Sequence, residues 1–471
     1  MHININILKI LLTALVFNSI NLVFAQENNL LQNRTQNGYK GIWFTLGQFS
    51  EYGDKYSGGL GTYTAKHIPL SIFAPEVNKT FFVYGGTTAP TEKYLLCMIG
   101  EYDHKTGKVS KPRVVYDKGG VDDPHDNPTL ALDDMGHLWV FVSGRGRNRM
   151  GFKYRSKAPY DIGGFEQITE EEMTYPQPKF YPGKGFLNLF TKYTGTRELY
   201  FETSPNGFNW SSDQKLAAIK RPGDKNSGHY QISGQNGDKV AFFFNWHPNG
   251  DVDKRTNIYY LQTTDFGETW TNIRGEPQQI PVTDLDSPTL AQEFFSREIN
   301  VYIKDVNFDE NGNPIALYVS GKGHQPGPAN GPRSWSVIYW NGQSWETHKI
   351  AESDHNYDSG SLWVNGDEWM VVGPSQNSPQ QWGAGGEMQM WKSLDKGKTW
   401  ARTNQITKKS PRNHNYARRV INGQDPFLYF WADGNPDEFS QSCLYFGDSR
   451  GRVWKLPYHM KRENKRPKRL R

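Results

Sequence analysis

The 471-residue sequence predicts an all-β fold, a β-propeller of seven four-stranded blades. Three observations carry that prediction: short β-rich runs closed by turn residues recur along the chain, one turn motif repeats at blade-like spacing, and the composition favours strands over helices. Aromatic residues make up 14% of the chain, with 15 Trp, 25 Tyr and 47 Gly. Such a balance suits many short strands carrying flat rings on which sugars stack.

Taken in order, the chain opens with Lys9, an apolar run from 10 to 17, and Val23-Phe24-Ala25 before Gln26. This pattern predicts a cleaved signal peptide over 1–25 and export to the periplasm or beyond the cell. The apolar run is far shorter than the roughly 20 residues of a spanning helix, and no later stretch supplies one, so no transmembrane segment is expected. A polar lead (26–37) precedes the propeller (38–458), and a basic tail (459–471) follows. Net charge is +5, but residues 461–471 alone carry +6, which leaves the body at −1. The body is therefore no nucleic-acid-binding surface, and the tail is expected to be a disordered, solvated end. Cys97 and Cys443 are expected to be ordinary buried thiols in a chain long enough to need no disulfide.

Strand-like runs at 80–84, 137–142, 239–244, 257–261 and 368–372 each close on Gly, Asn, Asp or Pro, and no convincing 3.6-residue periodicity interrupts them. The turn Thr264-Asp265-Phe266-Gly267-Glu268-Thr269-Trp270 recurs at 393–400 and, more loosely, at 204–210 and 341–345. In this Asp box, Asp and Gly make a hairpin turn and Trp packs beneath it. The Trp positions 210, 270, 345 and 400 are 60, 75 and 55 residues apart, the length of one blade with generous loops. The box carboxylates are read as architectural.

Polar clusters lie between the repeats: His125 within 122–128, Arg145 and Arg147 within 143–149, Tyr175 with Lys192 at the end of the next strand, and His229-Tyr230 leading to His247. Further clusters hold His324 with Arg333, His355 with Tyr357 and Asp358, Trp382 with Glu387, and His414. One cluster per blade, each beginning or ending a strand, is what gathers side chains around a propeller axis. Arg145, Arg147, Lys192 and Arg333 among His and Tyr suit an anionic sugar. A cation neutralising a uronate carboxylate makes the carbon-5 proton removable by a His or Tyr. A glycosidase needs two facing carboxyls instead, and no spacing pairs Glu387 with Asp358. No cofactor is required for the elimination, and the loop 249–253 is a candidate for a structural Ca²⁺.

The stretches Pro124-His125-Asp126-Asn127-Pro128 to Asp133-Asp134-Met135-Gly136, Tyr154-Arg155-Ser156-Lys157-Ala158-Pro159-Tyr160-Asp161, Thr174-Tyr175-Pro176-Gln177-Pro178 and 264–270 resemble the BNR-repeat propeller family, which includes seven-bladed ulvan lyases and relatives acting on rhamnose linked to glucuronate. The resemblance covers about 38–458. It implies a site in which His125 matches the first family His, Tyr175 the Tyr of its Thr-Tyr-Pro motif, and Tyr230, beside His229, the last position. Two departures stand out: Arg145 falls where a second His is expected, and Lys192 where an Arg is expected. The implied activity is β-elimination on a uronic-acid-containing, sulfated, marine-type polysaccharide or its oligosaccharides. Tyr175 and His125 would carry the proton transfers, Arg145 and Lys192 would hold the carboxylate, and Tyr230, His229, His355 and Trp382 would line subsites. With hydroxide as leaving group, the same elimination would be a dehydration at chain ends. The alternatives are an exo-acting glycoside hydrolase of rhamnosidase type and a non-catalytic sugar-binding propeller.

Overall fold

A computed structural model describes residues 31–59, 61–375 and 378–470; the expected signal peptide at 1–25 and the start of the polar lead lie outside the described residues. The described chain is nearly all β: five separate four-stranded antiparallel sheets span 128–171, 174–217, 229–292, 299–353 and 361–405, and two further antiparallel units at 71–117 and 413–455 bring the number to seven and join each other where Ile72 pairs with Ile421. Within each, successive strands pair with their neighbours as a simple meander, the first strand innermost and the last at the rim.

Alternation along each strand explains why these sequences make blades. In Lys239–Trp246, Val240, Phe242 and Phe244 join one apolar cluster while Ala241 and Phe243 join the next. Both faces are therefore buried between neighbouring blades, and the strand needs apolar residues at both parities. The Asp boxes sit at the turn between third and fourth strands. Asp265 Oδ1 accepts from the Thr269 N–H (2.9 Å), Gly267 takes a φ of +92° against the Phe201 ring, and Trp270 packs edge-on to Phe201 and Phe242. Asp395, Gly397 and Trp400 repeat the arrangement, with Trp400 Nε1 donating to the Gly397 carbonyl (2.8 Å).

Two seams close the ring. Gly41–Thr45 pairs with Ser440–Ser442 on one side and Ser57–Gly59 on the other. The basic tail corrects the expectation of disorder: Asn464–Lys465 pairs with Lys108–Ser110 on the 71–117 blade, and Lys468–Arg469 pairs with Val453–Lys455 on the 413–455 blade. A run of cations predicts solvated side chains, but two free strand edges offered its backbone partners that the charge pattern does not reveal. Cys97 and Cys443 are free and buried.

Candidate active site

In every blade the loop entering the first strand and the loop joining the second to the third emerge at the same end of the sheet, the end opposite the Asp boxes. His125, in the short turn Pro124–Asp126, enters one blade; Tyr175, in Thr174–Tyr181, and Tyr230, in His229–Asn236, start the inner strands of the next two. Their rings form a row, His125 to Tyr175 at 6.0 Å and Tyr175 to Tyr230 at 5.7 Å, both edge to face.

Local backbone chemistry aims this row. Tyr175 has a φ of +54°, a strained value for a residue with a Cβ, and sits in a bulge between Thr174 and Gln177. Its N–H donates to Ser143 Oγ (3.0 Å), which fixes the distortion from the neighbouring blade. His125 Nδ1 lies 2.5 Å from Asp123 Oδ1 and Nε2 3.2 Å from the Tyr63 hydroxyl. The carboxylate fixes the tautomer with the proton on Nδ1, leaving Nε2 as the acceptor. Burial lowers the His125 imidazole below its ordinary range despite Asp123 beside it, so the ring is a neutral base at neutral pH.

Four basic side chains surround the two phenols, of which Lys66 is pushed well below its ordinary range by burial and by Arg255 nearby. Lys66 Nζ lies 3.9 Å from the Tyr230 ring centre and 5.6 Å from that of Tyr175, with Arg255 at 4.8 Å and Arg197 at 5.7 Å from Tyr230. Arg145 approaches from the far side, 3.3 Å from Asp123. Among the described residues no carboxylate pairs with Lys66, Arg197 or Arg255, and Arg197 Nε is buried without a hydrogen-bond partner. Uncompensated cations beside a buried wall are costly unless an anion completes them. The phenols respond in opposite directions. Burial pushes Tyr175 well up, with Tyr230 and Tyr193 adding to the rise. Burial also raises Tyr230, but Arg197, Arg255 and Arg145, with a hydrogen bond from Tyr175, bring it net below its ordinary value. A cavity of ≈ 10 Å³, room for about one water, lies beneath, lined by Lys66, Tyr230, Asn245, Arg255 and Tyr302.

Of the residues singled out from sequence, the structure thus brings together His125, Arg145, Tyr175 and Tyr230. His247 stands edge-on to Tyr230 at 5.0 Å, and the Tyr357 hydroxyl accepts from Arg255 Nη2 at 2.5 Å. Lys192 is a correction. Its ammonium is drawn to Asp213 (2.6 Å) and Glu172 (3.9 Å) on the outer flank of its blade, where Glu171, Glu202 and Asp213 crowd together and Lys153 bridges two of them. Arg197, not Lys192, stands beside Tyr230. Arg147 is turned outward onto Glu172.

Others hold loops instead of facing the row. His229 accepts the Ile219 N–H at Nε2 and donates to the Asn245 carbonyl from Nδ1 (3.0 and 2.9 Å). Arg333 is fully buried on Asn356 Oδ1 and the Asp354 and Gln325 carbonyls. His355 Nδ1 accepts the Tyr357 N–H. Glu387 accepts from Thr407 and Ser410, and His414 lies between Trp431 Nε1 and Ser410 Oγ. Asp358 accepts from Ser353 Oγ and the Gly385 N–H, so Glu387 and Asp358 do not form a facing pair of free carboxyls. The oxygens of the loop 249–253 are likewise engaged: Asn249 with the Lys225 N–H, Asp251 with the Asp253 N–H, and Asp253 with Lys55 and His324. That set does not fit a calcium cage.

Sequence reasoning missed Lys66, Tyr63, Arg197 and Arg255. Arg197 and Arg255 each stand immediately before a third strand, Glu198–Ser204 and Thr256–Thr263, just as Arg333 begins one, and that shared register was the available signal.

An arm formed by 46–56 lies across one side of the mouth. Lys55 pairs with Asp253, Tyr52 meets Trp382 at 6.1 Å, and the Tyr56 ring lies 5.1 Å from Tyr357 and 6.5 Å from His125. Beneath it Tyr175 is 2% exposed and Tyr230 9%.

The sequence pattern of the BNR repeat-containing family matches residues 92–353. A protein of Pseudoalteromonas sp. (strain PLSV) named Ulvan Lyase-PL25 is 26% identical over 289 residues, 52% of this chain and 58% of the relative. An ulvan lyase of Nonlabens ulvanivorans is 24% identical over 286 residues, 52% of this chain and 60% of the relative. The matched region thus spans somewhat more than half the length of these relatives. Among solved structures, a PL25 ulvan lyase superposes with a TM-score of 0.69 at 18% identity, covering 88% of this chain and 96% of that one. A PL25 ulvan lyase bound to -[GlcA(1-4)Rha3S]- gives 0.70 over the same shares. These superpositions establish a shared fold.

Proposed function

This chain belongs to the BNR repeat-containing family, and on that footing we propose that it catalyses β-elimination at a uronic acid residue of an anionic, sulfated polysaccharide or its oligosaccharides, in the manner of an ulvan lyase. The observation that carries this reading is a Tyr175–Tyr230 pair with opposed proton affinities, set beside Arg197 and Arg255, which have no carboxylate partner among the described residues. Environments that push two titratable groups apart mark an acid and its counterpart.

In the proposed reaction Arg145 and Arg197 hold the uronate carboxylate and stabilise the charge that develops when carbon 5 loses its proton. His125, neutral and oriented by Asp123, accepts that proton at Nε2. The electron pair of the C5–H bond forms the C4=C5 double bond, the C4–O bond breaks, and the departing oxygen takes a proton from Tyr175. Tyr230 holds the Tyr175 hydroxyl and supports its return to the neutral form. The chemistry uses side chains alone. Export, resting on the 1–25 segment, is part of the same proposal; among the described residues no helix is long and apolar enough to cross a membrane.

The arm favours a second reading of the same chemistry. A mouth walled by 46–56 over nearly buried phenols suits a chain end better than the middle of a polymer, and at a chain end hydroxide leaves carbon 4, making the step a dehydration. The purified protein on ulvan and on its oligosaccharides distinguishes these possibilities. Ultraviolet absorbance of the new conjugated double bond, lost in Tyr175→Phe and His125→Ala, supports elimination. Mass loss of one water without chain shortening selects dehydration. Release of sugars with no such absorbance would sink both readings.

A further inference from the structure

The ordered basic ribbon at 459–470 plays no part in the mouth, and its charge is the whole net charge of the protein. It runs along the rim, first on the outer edge of the 71–117 blade and then on that of the 413–455 blade, bridging the seam between them. Lys461, Arg462, Lys465, Arg466, Lys468 and Arg469 are all exposed, and Lys105 and Lys108 on the adjoining hairpin extend the same patch. The ribbon contains one carboxylate, Glu463, and Lys111 already occupies it at 2.9 Å. Lys108, Lys465, Lys468 and Arg469 stand on strand-paired backbone that fixes their spacing, and Lys105, Lys461, Arg462 and Arg466 flank them, in contrast to a mobile tail whose charges average out.

We propose that this ribbon is a second, non-catalytic docking site for sulfated polysaccharide, holding the polymer at the rim while the mouth acts on it. The identity of the polyanion rests on the proposed function above. The charge array itself supplies the chemistry: lysine and arginine pair with sulfate and carboxylate groups, and counterion release makes such binding steeply salt-dependent. A membrane surface fits less well, because a lipid-binding element needs an apolar face to insert and the ribbon offers Leu470 alone. The docking site lies about four strand spacings of roughly 4.8 Å outward from the inner strands, toward the end that carries the third-to-fourth-strand turns, so a polymer chain passing around the rim reaches both.

The test is affinity electrophoresis through gels containing ulvan, with Lys465→Gln/Arg466→Gln/Lys468→Gln as the main variant and Lys105→Gln/Lys108→Gln as an independent one on a different segment. The wild type is expected to be retarded, with the retardation abolished by salt, and the triple variant to bind about tenfold more weakly. Both variants should turn over short uronate oligosaccharides at the wild-type rate. Equal retardation of wild type and both variants would overturn the proposal, as would stronger depletion of the wild type by phosphatidylglycerol vesicles or duplex DNA than by ulvan. Wild-type turnover keeps the two ideas apart: retardation with no uronate turnover by the wild type leaves the docking site standing and removes the proposed reaction.

Discussion

The Tyr175 ring meets the Tyr230 ring at 5.7 Å with 77° between their planes, and the two phenols are driven in opposite directions by a shared set of neighbours. Burial dominates Tyr175, whereas the guanidinium groups of Arg197, Arg255 and Arg145 outweigh burial at Tyr230. Such a pair shares its protons as a unit, and substitutions within it act as a unit.

Tyr175→Phe and Tyr230→Phe should each lower kcat on uronate substrates by about 10²- to 10⁴-fold, the usual contribution of a positioned proton-transfer group. The double variant should be little worse than either single one. Steady-state kinetics with a thermal melt as folding control decides it, and multiplicative losses would show that the residues act separately.

Tyr230 should ionise below the ordinary phenol value of 10.0. A lowered value means phenolate appears at lower pH than in free tyrosine. Removing positive charge from Arg197→Gln disfavours the anion and should move that ionisation upward, carrying any tyrosinate-linked limb of the pH–rate profile with it. Ultraviolet titration, with Tyr230→Phe as the blank, reads the shift directly.

Lys192→Ala should leave KM and kcat within a few-fold of wild type, because the ammonium is committed to Asp213 on the outer flank. Arg197→Ala should cost about 10²-fold or more in kcat/KM by removing a cation from the developing charge. The opposite ranking would restore Lys192 to the site.

Lys55→Ala removes the ion pair that anchors the arm to Asp253. The rate on polymer relative to that on short oligosaccharides should rise, measured with one stock of each substrate. An unchanged ratio would mean that the arm does not restrict access.

Acid should destabilise the fold through histidines buried in their neutral form. Burial pushes His229 down to about 4 and His67 to about 3. The unfolded chain takes up a proton near pH 6.5 that the folded one refuses until much lower pH, so their full contribution is present above 6.5 and declines as pH falls toward 4. His229 alone accounts for about 3 kcal/mol across that window. Melting temperature against pH checks it, and His229→Gln should flatten the curve.

The blades were legible because strand alternation and the Asp-box turn are local patterns that a sequence displays directly. His125, Tyr175 and Tyr230 were legible for a related reason, each opening an inner strand beside a turn. Lys192 misled because charge type is visible in a sequence but the partner that claims it is not: Asp213 lies two strands away. Lys66 and Tyr63 were invisible because they belong to no blade and reach the mouth only through the crossing of the 57–67 segment. The tail deceived through its composition, since nothing in a run of lysines and arginines announces an unpaired strand edge waiting elsewhere.

The seam formed by Gly41–Thr45 and Ser57–Gly59 leads to Tyr63 and Lys66, so one stretch of chain both fastens the ring and supplies side chains to the candidate site. In the proposed reaction, turnover would therefore report on the integrity of the whole circle. A molecule whose blades are individually folded but whose clasp is open would keep its far-ultraviolet spectrum while the proposed site came apart, and a single proteolytic cut between 46 and 67 would do the same at a distance from every blade.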